Sequence, residues 1–302
     1  MTDLIIEKLK NIVGSEALLI NEPMKNHTTF RIGGPCGVML LPKSGEEIRD
    51  SVKVLRESGV KYYIIGNGSN LLVSDKGFDG AIIKLSKSFS KTEVNGTEIT
   101  AQAGAMLSGV SSLAAQNSLT GLEFASGIPG SIGGAVLMNA GAYGGEMKDV
   151  VVETEYLTNN LEIKTTKEHG FSYRHSVFQE NGGIVLKTRM VLKKGDKDEI
   201  NAEIGRLTAQ RKAKQPLSYP SAGSAFKRPE GYFAAKLIDD AGLRGYTVGG
   251  AQVSELHTGF VINRGGATAA DVSKLLDDVR DIVFEKFGVT LQREIKYLGE
   301  EK

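Results

Sequence analysis

Residues 127–145, GIPGSIGGAVLMNAGAYGG, hold seven glycines and one proline in nineteen positions. Ordering glycine is entropically costly, so this density fits backbone that approaches another surface closely or takes positive φ. Successive N–H groups in such a turn make an anion-binding nest, more so where a helix begins at once, as residues 135–139 allow. The same composition also fits a plain loop between strands. A second cluster, Gly66-Asn-Gly-Ser-Asn70, follows the apolar run Lys61-Tyr-Tyr-Ile-Ile and precedes Leu71-Leu-Val. That order reads as strand, phosphate-sized turn, strand. Two such turns, about sixty residues apart, suit an extended ligand whose pyrophosphate is gripped by backbone from two directions.

Other chemistries are excluded by what is missing. Leu71 stands where the third glycine of G-x-G-x-x-G belongs and no helix pattern follows, so the second cluster is not a dinucleotide fingerprint. There is no G-x-x-x-x-G-K-[ST] loop. Ser221-Ala-Gly-Ser224 is not a G-x-S-x-G elbow, and read alone it is a turn whose hydroxyls satisfy local backbone. His27, His169, His175 and His257 are scattered without H-x-x-x-H spacing, so no metal is expected. The single cysteine, Cys36, forms no disulfide framework or metal cluster and reads as a small apolar residue in a reducing compartment. A net charge of +1 and a pI near 7.7 give no reason to expect nucleic acid. The first ten residues lack a signal-peptide layout and no apolar run approaches membrane-spanning length, so a cytoplasmic protein is expected.

The elements that must position these turns follow from periodicity. Residues 4–13 predict an amphipathic helix with Ile5, Leu9, Ile12 and Val13 on one face and Gly14 past its end. Ser44 and Glu47 resemble a capping box opening a helix with Ile48, Val52 and Leu55 inward, stopping at Gly59. Residues 81–85 read as a strand, and residues 92–103 as a hairpin about Asn95-Gly96. Leu107, Val110, Leu113 and Ala114 mark a further helix. Thr268 and Asp271 cap a helix carrying Val272, Leu275, Leu276, Val279, Ile282 and Val283 and ending at Gly288. Residues 289–298 alternate as a strand, which turns Glu294 away from Leu291 and Ile295. The polar run at residues 193–199 is the clearest composition break, and a helix-like segment to about Lys214 bridges it to the last third. At 302 residues there is room for two or three cores. The class is α+β with mixed sheets.

Six segments in order resemble the UDP-N-acetylenolpyruvoylglucosamine reductase family, the flavoenzymes that complete UDP-N-acetylmuramate in peptidoglycan synthesis. They are Asn26-His-Thr-Thr-Phe-Arg-Ile-Gly-Gly34, Gly66-Asn-Gly-Ser-Asn70, Gly121-Leu-Glu-Phe-Ala-Ser-Gly-Ile-Pro-Gly-Ser-Ile-Gly-Gly134, Tyr173-Arg-His-Ser-Val-Phe178, Ser221-Ala-Gly-Ser-Ala-Phe-Lys-Arg-Pro229 and Leu291-Gln-Arg-Glu-Ile295. The resemblance covers nearly the whole chain. It implies a vanillyl-alcohol-oxidase-type (PCMH-type) FAD-binding fold of two subdomains, residues 1–85 and 86–205, plus a C-terminal α+β substrate-binding domain, residues 206–302.

The resemblance also implies a site. Ser224, in its G-S-x-F context, matches the family proton donor, Arg174 the arginine that stabilises the substrate carboxylate and intermediate, and Glu294 the catalytic glutamate. Read without it, Arg174 is a surface loop arginine and Glu294 a solvated strand carboxylate, and the protonation state in which Glu294 works stays open. Noncovalent FAD is expected at Gly66, Asn67, Gly68, Ser69, Asn70, Gly127, Ile128, Pro129, Gly130, Ser131, Gly134 and Ile184, and the substrate at Tyr173, Arg211, Lys214, Lys227 and Asn263. Arg211 and Lys214 also read as a basic helix end. The short stretch between Phe178 and Ile184 leaves no room for the tyrosine-bearing loop that some members carry, so residues around Arg228 and Tyr232 are expected to shield the substrate instead.

The implied reaction has NADPH reduce FAD, whose N5 then passes hydride to C3 of UDP-N-acetylglucosamine enolpyruvyl ether while Ser224 protonates C2. No nucleic acid or membrane span is expected, and a monomer is. Two alternatives stand beside this reading: a flavin oxidase or dehydrogenase acting on an alcohol or hydroxy acid, which would not need Ser224, Arg174 and Glu294 together, and a nucleotide-binding module without turnover.

Overall fold

A computed structural model describes residues 1–300. The chain forms two compact units, one of residues 1–20, 37–67 and 80–210, the other of residues 21–36, 68–79 and 211–302. This grouping differs from the sequence-ordered blocks 1–85, 86–205 and 206–302, because two short segments of the first third pack with the C-terminal part. Phe30, Ile32 and Leu72 lie in its hydrophobic core, and the strand Leu71–Val73 pairs in parallel with Lys296–Leu298.

The first unit is built on two sheets. One has the order Leu18–Ile20, Cys36–Leu40, Phe78–Lys84, Tyr62–Ile65, with Tyr62–Ile65 parallel to its neighbour. The helix Asp3–Val13 turns Leu9 and Val13 inward and stops at Gly14, φ +87°. The helix Gly45–Glu57 buries Ile48, Val52 and Leu55. Ser44 Oγ accepts from Glu47 N at 3.1 Å, but the Glu47 carboxylate reaches back to Lys43 N, at 2.9 Å, one residue beyond the expected box. Cys36 is buried, and burial pushes its thiol up to about 11, which keeps it inert.

The second sheet is antiparallel, in the order Ile163–Thr166, Val151–Leu157, Ile184–Val191, Glu98–Gln102, Thr92–Asn95. Its hairpin pairs Asn95 with Glu98, so the turn residues are Gly96 and Thr97. Gly96 takes φ +62° and Thr97 does not enter the left-handed region, which fits a glycine at the first central position of a II′ turn. The helix Lys197–Lys214 is continuous but buries only Ile200 and Leu207.

The second unit holds an antiparallel sheet in the order Ser221–Ser224, Phe260–Asn263, Ala251–Val253, Thr247–Val248. The long helix Ala269–Phe287 buries Val272, Leu275, Leu276, Val279 and Val283 and ends at Gly288 in the left-handed region. Thr268 and Asp271 form a reciprocal capping box. Asp75 accepts from Ala269 N at 2.7 Å and Ala270 N at 3.1 Å, so two of the helix's orphan donors bond a carboxylate distant in sequence. The expected final strand at residues 289–298 is regular only over Lys296–Leu298. Upstream, Arg293 pairs antiparallel with Phe226, so the segment changes partner around Glu294 and cannot form one continuous ladder.

His169, only 6 % exposed, stacks on Phe171 at 4.7 Å, and its Nε2 lies 3.0 Å from Thr154 Oγ1. Burial holds its pKa below the usual histidine value. The unfolded chain therefore takes up a proton that the folded chain refuses, so this contribution to stability is complete above the ordinary histidine pKa of about 6.5 and declines as pH falls below it. Thermal melts at pH 7.5 and 5.5 should show a smaller loss on acidification for His169→Gln than for the parent. Equal losses would remove His169 from the acid response.

Candidate active site

In the first unit the two glycine turns meet. The strand Tyr62–Ile65 delivers Gly66 and Asn67, and Asn67 Nδ2 donates to the Pro129 carbonyl at 2.5 Å. A Cβ on Gly66 would sit 2.0 Å from Ser131 Oγ, so a side chain there would force the Ser131 hydroxyl to move. The second turn is braced from behind: Leu107 N donates to Gly130 O at 3.0 Å, Ile132 N to Ala105 O at 2.8 Å and Gly133 N to Ala103 O at 2.8 Å. Ser131 Oγ is buried without a hydrogen-bond partner. A buried hydroxyl left unmatched is costly, so this one, beside the Gly66 turn, is a candidate to receive a ligand oxygen. The residues present fit the pyrophosphate of FAD: closely approaching backbone, an Asn67 side chain committed to shaping the turn, and a waiting hydroxyl. The helix that follows, Ile132–Leu137, has six residues, with Gly134 exposed. Ile184 opens a buried strand of the same unit.

Arg174 also belongs to the first unit. Ser172 and His175 exchange backbone hydrogen bonds, both 3.2 Å, leaving Tyr173 and Arg174 as a two-residue turn with Arg174 at φ +55°. A non-glycine residue in this region costs on the order of 1 kcal/mol or more and persists only where its surroundings enforce it. Gln179 Nε2 donates both to Arg174 O, at 3.0 Å, and to Leu137 O, at 2.8 Å, and buried Asn139 donates to Ser172 O at 3.0 Å and Glu146 Oε2 at 2.9 Å. The guanidinium lies 5.1 Å from the Tyr173 ring centroid and 3.4 Å from Gly141 O. Hydrogen bonding from Lys148, then from Asn139, with the Arg174 charge adding, keeps the Glu146 carboxyl below its usual range. Asn139 and Gln179 were not foreseen as supports; Asn139 lies inside the glycine-rich stretch and Gln179 directly after the Tyr173–Phe178 segment.

Ser224 and Glu294 lie in the second unit, on adjacent backbone-paired segments. Ser221 faces Ile262 and Ser224 faces Phe260, with a bulge between them at Gly223, φ +77°. Ala225 N donates to Gly259 O at 2.8 Å, Glu294 N to Ala225 O at 2.9 Å and Lys227 N to Gln292 O at 2.8 Å. On its other side the Glu294 carbonyl accepts from Asn70 Nδ2 at 3.2 Å, and Lys296 N donates to Asn70 O at 2.9 Å. Gly68, Ser69 and Asn70 thus belong with the Glu294 segment. Gly68 takes φ +62°, and a Cβ there would sit 2.1 Å from His27 O.

The expected substrate contacts fall differently. Tyr173 is exposed. Arg211 and Lys214 occupy the last turn of their helix, and burial, reinforced by the Arg244 and Lys214 charges, pushes the His257 pKa down. Asn263 is buried and its amide is already engaged: Nδ2 donates to Phe30 O at 3.2 Å, and Oδ1 accepts from Gly265 N at 2.9 Å and Ala267 N at 3.2 Å. Among the described residues, no group of three or more His, Cys, Asp or Glu is arranged to hold a metal, and no helix is long and apolar enough to cross a membrane.

Residues 37–167 match the family model of an FAD binding domain, and residues 215–298 that of the UDP-N-acetylenolpyruvoylglucosamine reductase C-terminal domain. The UDP-N-acetylenolpyruvoylglucosamine reductase of Caldanaerobacter subterraneus subsp. tengcongensis is 52% identical over 302 residues, 99% of this chain and 100% of that protein. The chain belongs to the UDP-N-acetylenolpyruvoylglucosamine reductase family. The crystal structure of the reductase from Thermus caldophilus superimposes with a TM-score of 0.79 at 35% identity, covering 93% of this chain and 98% of that one. p-Cresol methylhydroxylase with substrate bound, 14% identical, gives a TM-score of 0.50 over 96% of this chain and 65% of its own, a likeness of fold alone. As a reductase of this family with an FAD-binding domain, the protein is an FAD-dependent oxidoreductase of α+β, PCMH-type architecture.

If FAD is held at the Gly66–Ser131 approach, Ser131→Ala should weaken flavin affinity by about tenfold, the size of one good hydrogen bond, while the cofactor-free protein melts no lower than the parent. Flavin fluorescence titration and thermal melts measure both, and unchanged affinity would move the cofactor elsewhere.

Proposed function

We propose that this protein reduces UDP-N-acetylglucosamine enolpyruvyl ether to UDP-N-acetylmuramate, a peptidoglycan precursor, with NADPH as electron donor. The observation that carries this reading is the Glu294 N–H bonded to the carbonyl of Ala225, the residue after Ser224, which sets a hydroxyl and a carboxylate on adjoining segments as the chemistry requires. FAD would be held by Gly66, Asn67, Gly68, Ser69, Asn70, Gly127, Ile128, Pro129, Gly130, Ser131, Gly134 and Ile184. When bound, it supplies the two-electron chemistry that links NADPH to C3 of the enolpyruvyl group.

The remaining work falls to side chains. Addition at C3 leaves charge spread from C2 onto the substrate carboxylate, and such a centre is basic enough to take a proton from a well-placed hydroxyl. Ser224 gives that proton to C2. Arg174, with its backbone held in a strained conformation, offers two parallel donors to the carboxylate. Glu294 acts beside Ser224, either protonated as a donor to the developing enolate or ionised as an acceptor from the serine. Tyr173 contacts the substrate, Arg211 and Lys214 reach its carboxylate or diphosphate and Lys227 its UDP half, with Asn263 contributing by fixing the backbone around Phe30 and residues 265–267. Residues 1–85 and 86–205 serve FAD and residues 206–302 the substrate.

The helix Val177–Asn181 ends at Gly182 in the left-handed region and the next strand starts at Ile184, which supports the type without the extra tyrosine loop. Arg228, 4.6 Å from the Phe233 ring centroid, and exposed Tyr232 and Phe233 would close over the substrate instead. The activity is placed in the cytoplasm, in a monomer; the single cysteine supports a reducing compartment.

An anaerobic experiment separates the half-reactions. FAD-loaded protein reduced by NADPH should regain its oxidised absorption band promptly when the enolpyruvyl ether is added; a flavin that stays reduced until air enters would overturn the assignment. Ser224→Ala should keep the first half near the parent rate and slow the second by about 10²–10⁴-fold. Equal loss in both halves would remove Ser224 as the proton donor.

A further inference from the structure

The bulge between Ser221 and Ser224 releases Ser224 from the strict alternation of its strand, so the direction of its hydroxyl depends on where the strand is held before the bulge. On one side that hold is the ladder to Phe260–Asn263, with the Asn263 N–H on Pro220 O at 2.9 Å, and added to it is one side chain. Thr29 Oγ1 donates to the Ser221 carbonyl at 2.6 Å, while the Thr29 N–H donates to the Gly68 carbonyl at 3.3 Å. Thr29 is itself fixed on both sides. Thr28 Oγ1 bonds Ile32 O at 3.1 Å, and the Phe30 side chain is fully buried with its carbonyl on Asn263 Nδ2 at 3.2 Å. One residue therefore bonds both the Gly68 turn and the strand that carries Ser224.

The geometry points to Thr29 as a positioning residue that sets Ser224 against the Gly68 turn without touching substrate. This rests on the reading of Ser224 as proton donor. A displacement of about 1 Å in a reacting group can slow its step about a hundredfold.

Thr29→Val removes the donor and keeps the shape; Thr29→Ser keeps the donor. In the anaerobic half-reactions, the Val variant should reduce with NADPH at the parent rate yet reoxidise with the enolpyruvyl ether about ten- to a hundredfold more slowly, and the Ser variant should regain the parent rate. In a Ser224→Ala background the Val change should add nothing, because both act through one group. Should the Val variant not fold, Thr29→Ala carries the same test. Reoxidation at the parent rate, equal loss in both halves without rescue by Ser, or additivity with Ser224→Ala would each overturn the inference. Parent protein whose reduced flavin ignores the enolpyruvyl ether would overturn the proposed function first, and this inference with it.

Discussion

The parallel pairing of Leu71–Val73 with Lys296–Leu298 is the constraint on which the second unit depends. Parallel neighbours cannot be joined by a tight turn, and here residues 74–295 lie between them. The pairing sets Asn70, the residue just before Leu71, against the backbone of Glu294 and Lys296, where it donates from its amide and accepts on its carbonyl. The segment then leaves this partner for another, with Arg293 facing Phe226. Glu294 sits at the changeover, bonded through its N–H to Ala225 and through its carbonyl to Asn70. A residue held on both sides of its backbone has few conformations left, and such restriction suits the catalytic role proposed for Glu294.

In the first unit the governing feature is a missing atom. Without a Cβ at Gly66 the backbone comes close to Ser131, and Asn67 closes the gap to Pro129. The result is two turns presenting backbone to one place, with a buried hydroxyl that has no internal partner. Arg174 shows the complementary strategy. Its left-handed backbone would relax in an isolated loop, and Gln179 and Asn139 hold it by bonding the carbonyls on either side. Both arrangements carry a local cost that the surrounding structure enforces.

Much of this was legible along the chain because the interactions involved are short in sequence. The helices Asp3–Val13, Gly45–Glu57, Leu107–Gln116 and Ala269–Phe287 follow from periodic apolar residues and local stop signals, and the Thr268 and Asp271 cap needs only three residues of separation. Departures were of small reach: Glu47 caps one residue further back, and the hairpin turn falls on Gly96 and Thr97.

By itself, then, the sequence determined the positions of helices, caps and turns, the glycine-dependent approach at two turns, and through six ordered motifs the family of the chain. Only the tertiary structure decided that Leu71–Val73 is the partner of the last strand, that residues 21–36 and 68–79 belong with the C-terminal unit, that the Asn263 amide is spent on backbone, and that Thr29 holds the strand of Ser224. Periodicity and capping act through neighbours within a turn or two, so a short window contains both partners. The bonds from Thr29 to Ser221, Asn70 to Glu294 and Asn263 to Phe30 join groups 192, 224 and 233 residues apart, and no local pattern specifies which of many equivalent carbonyls such a donor will find until the chain has packed.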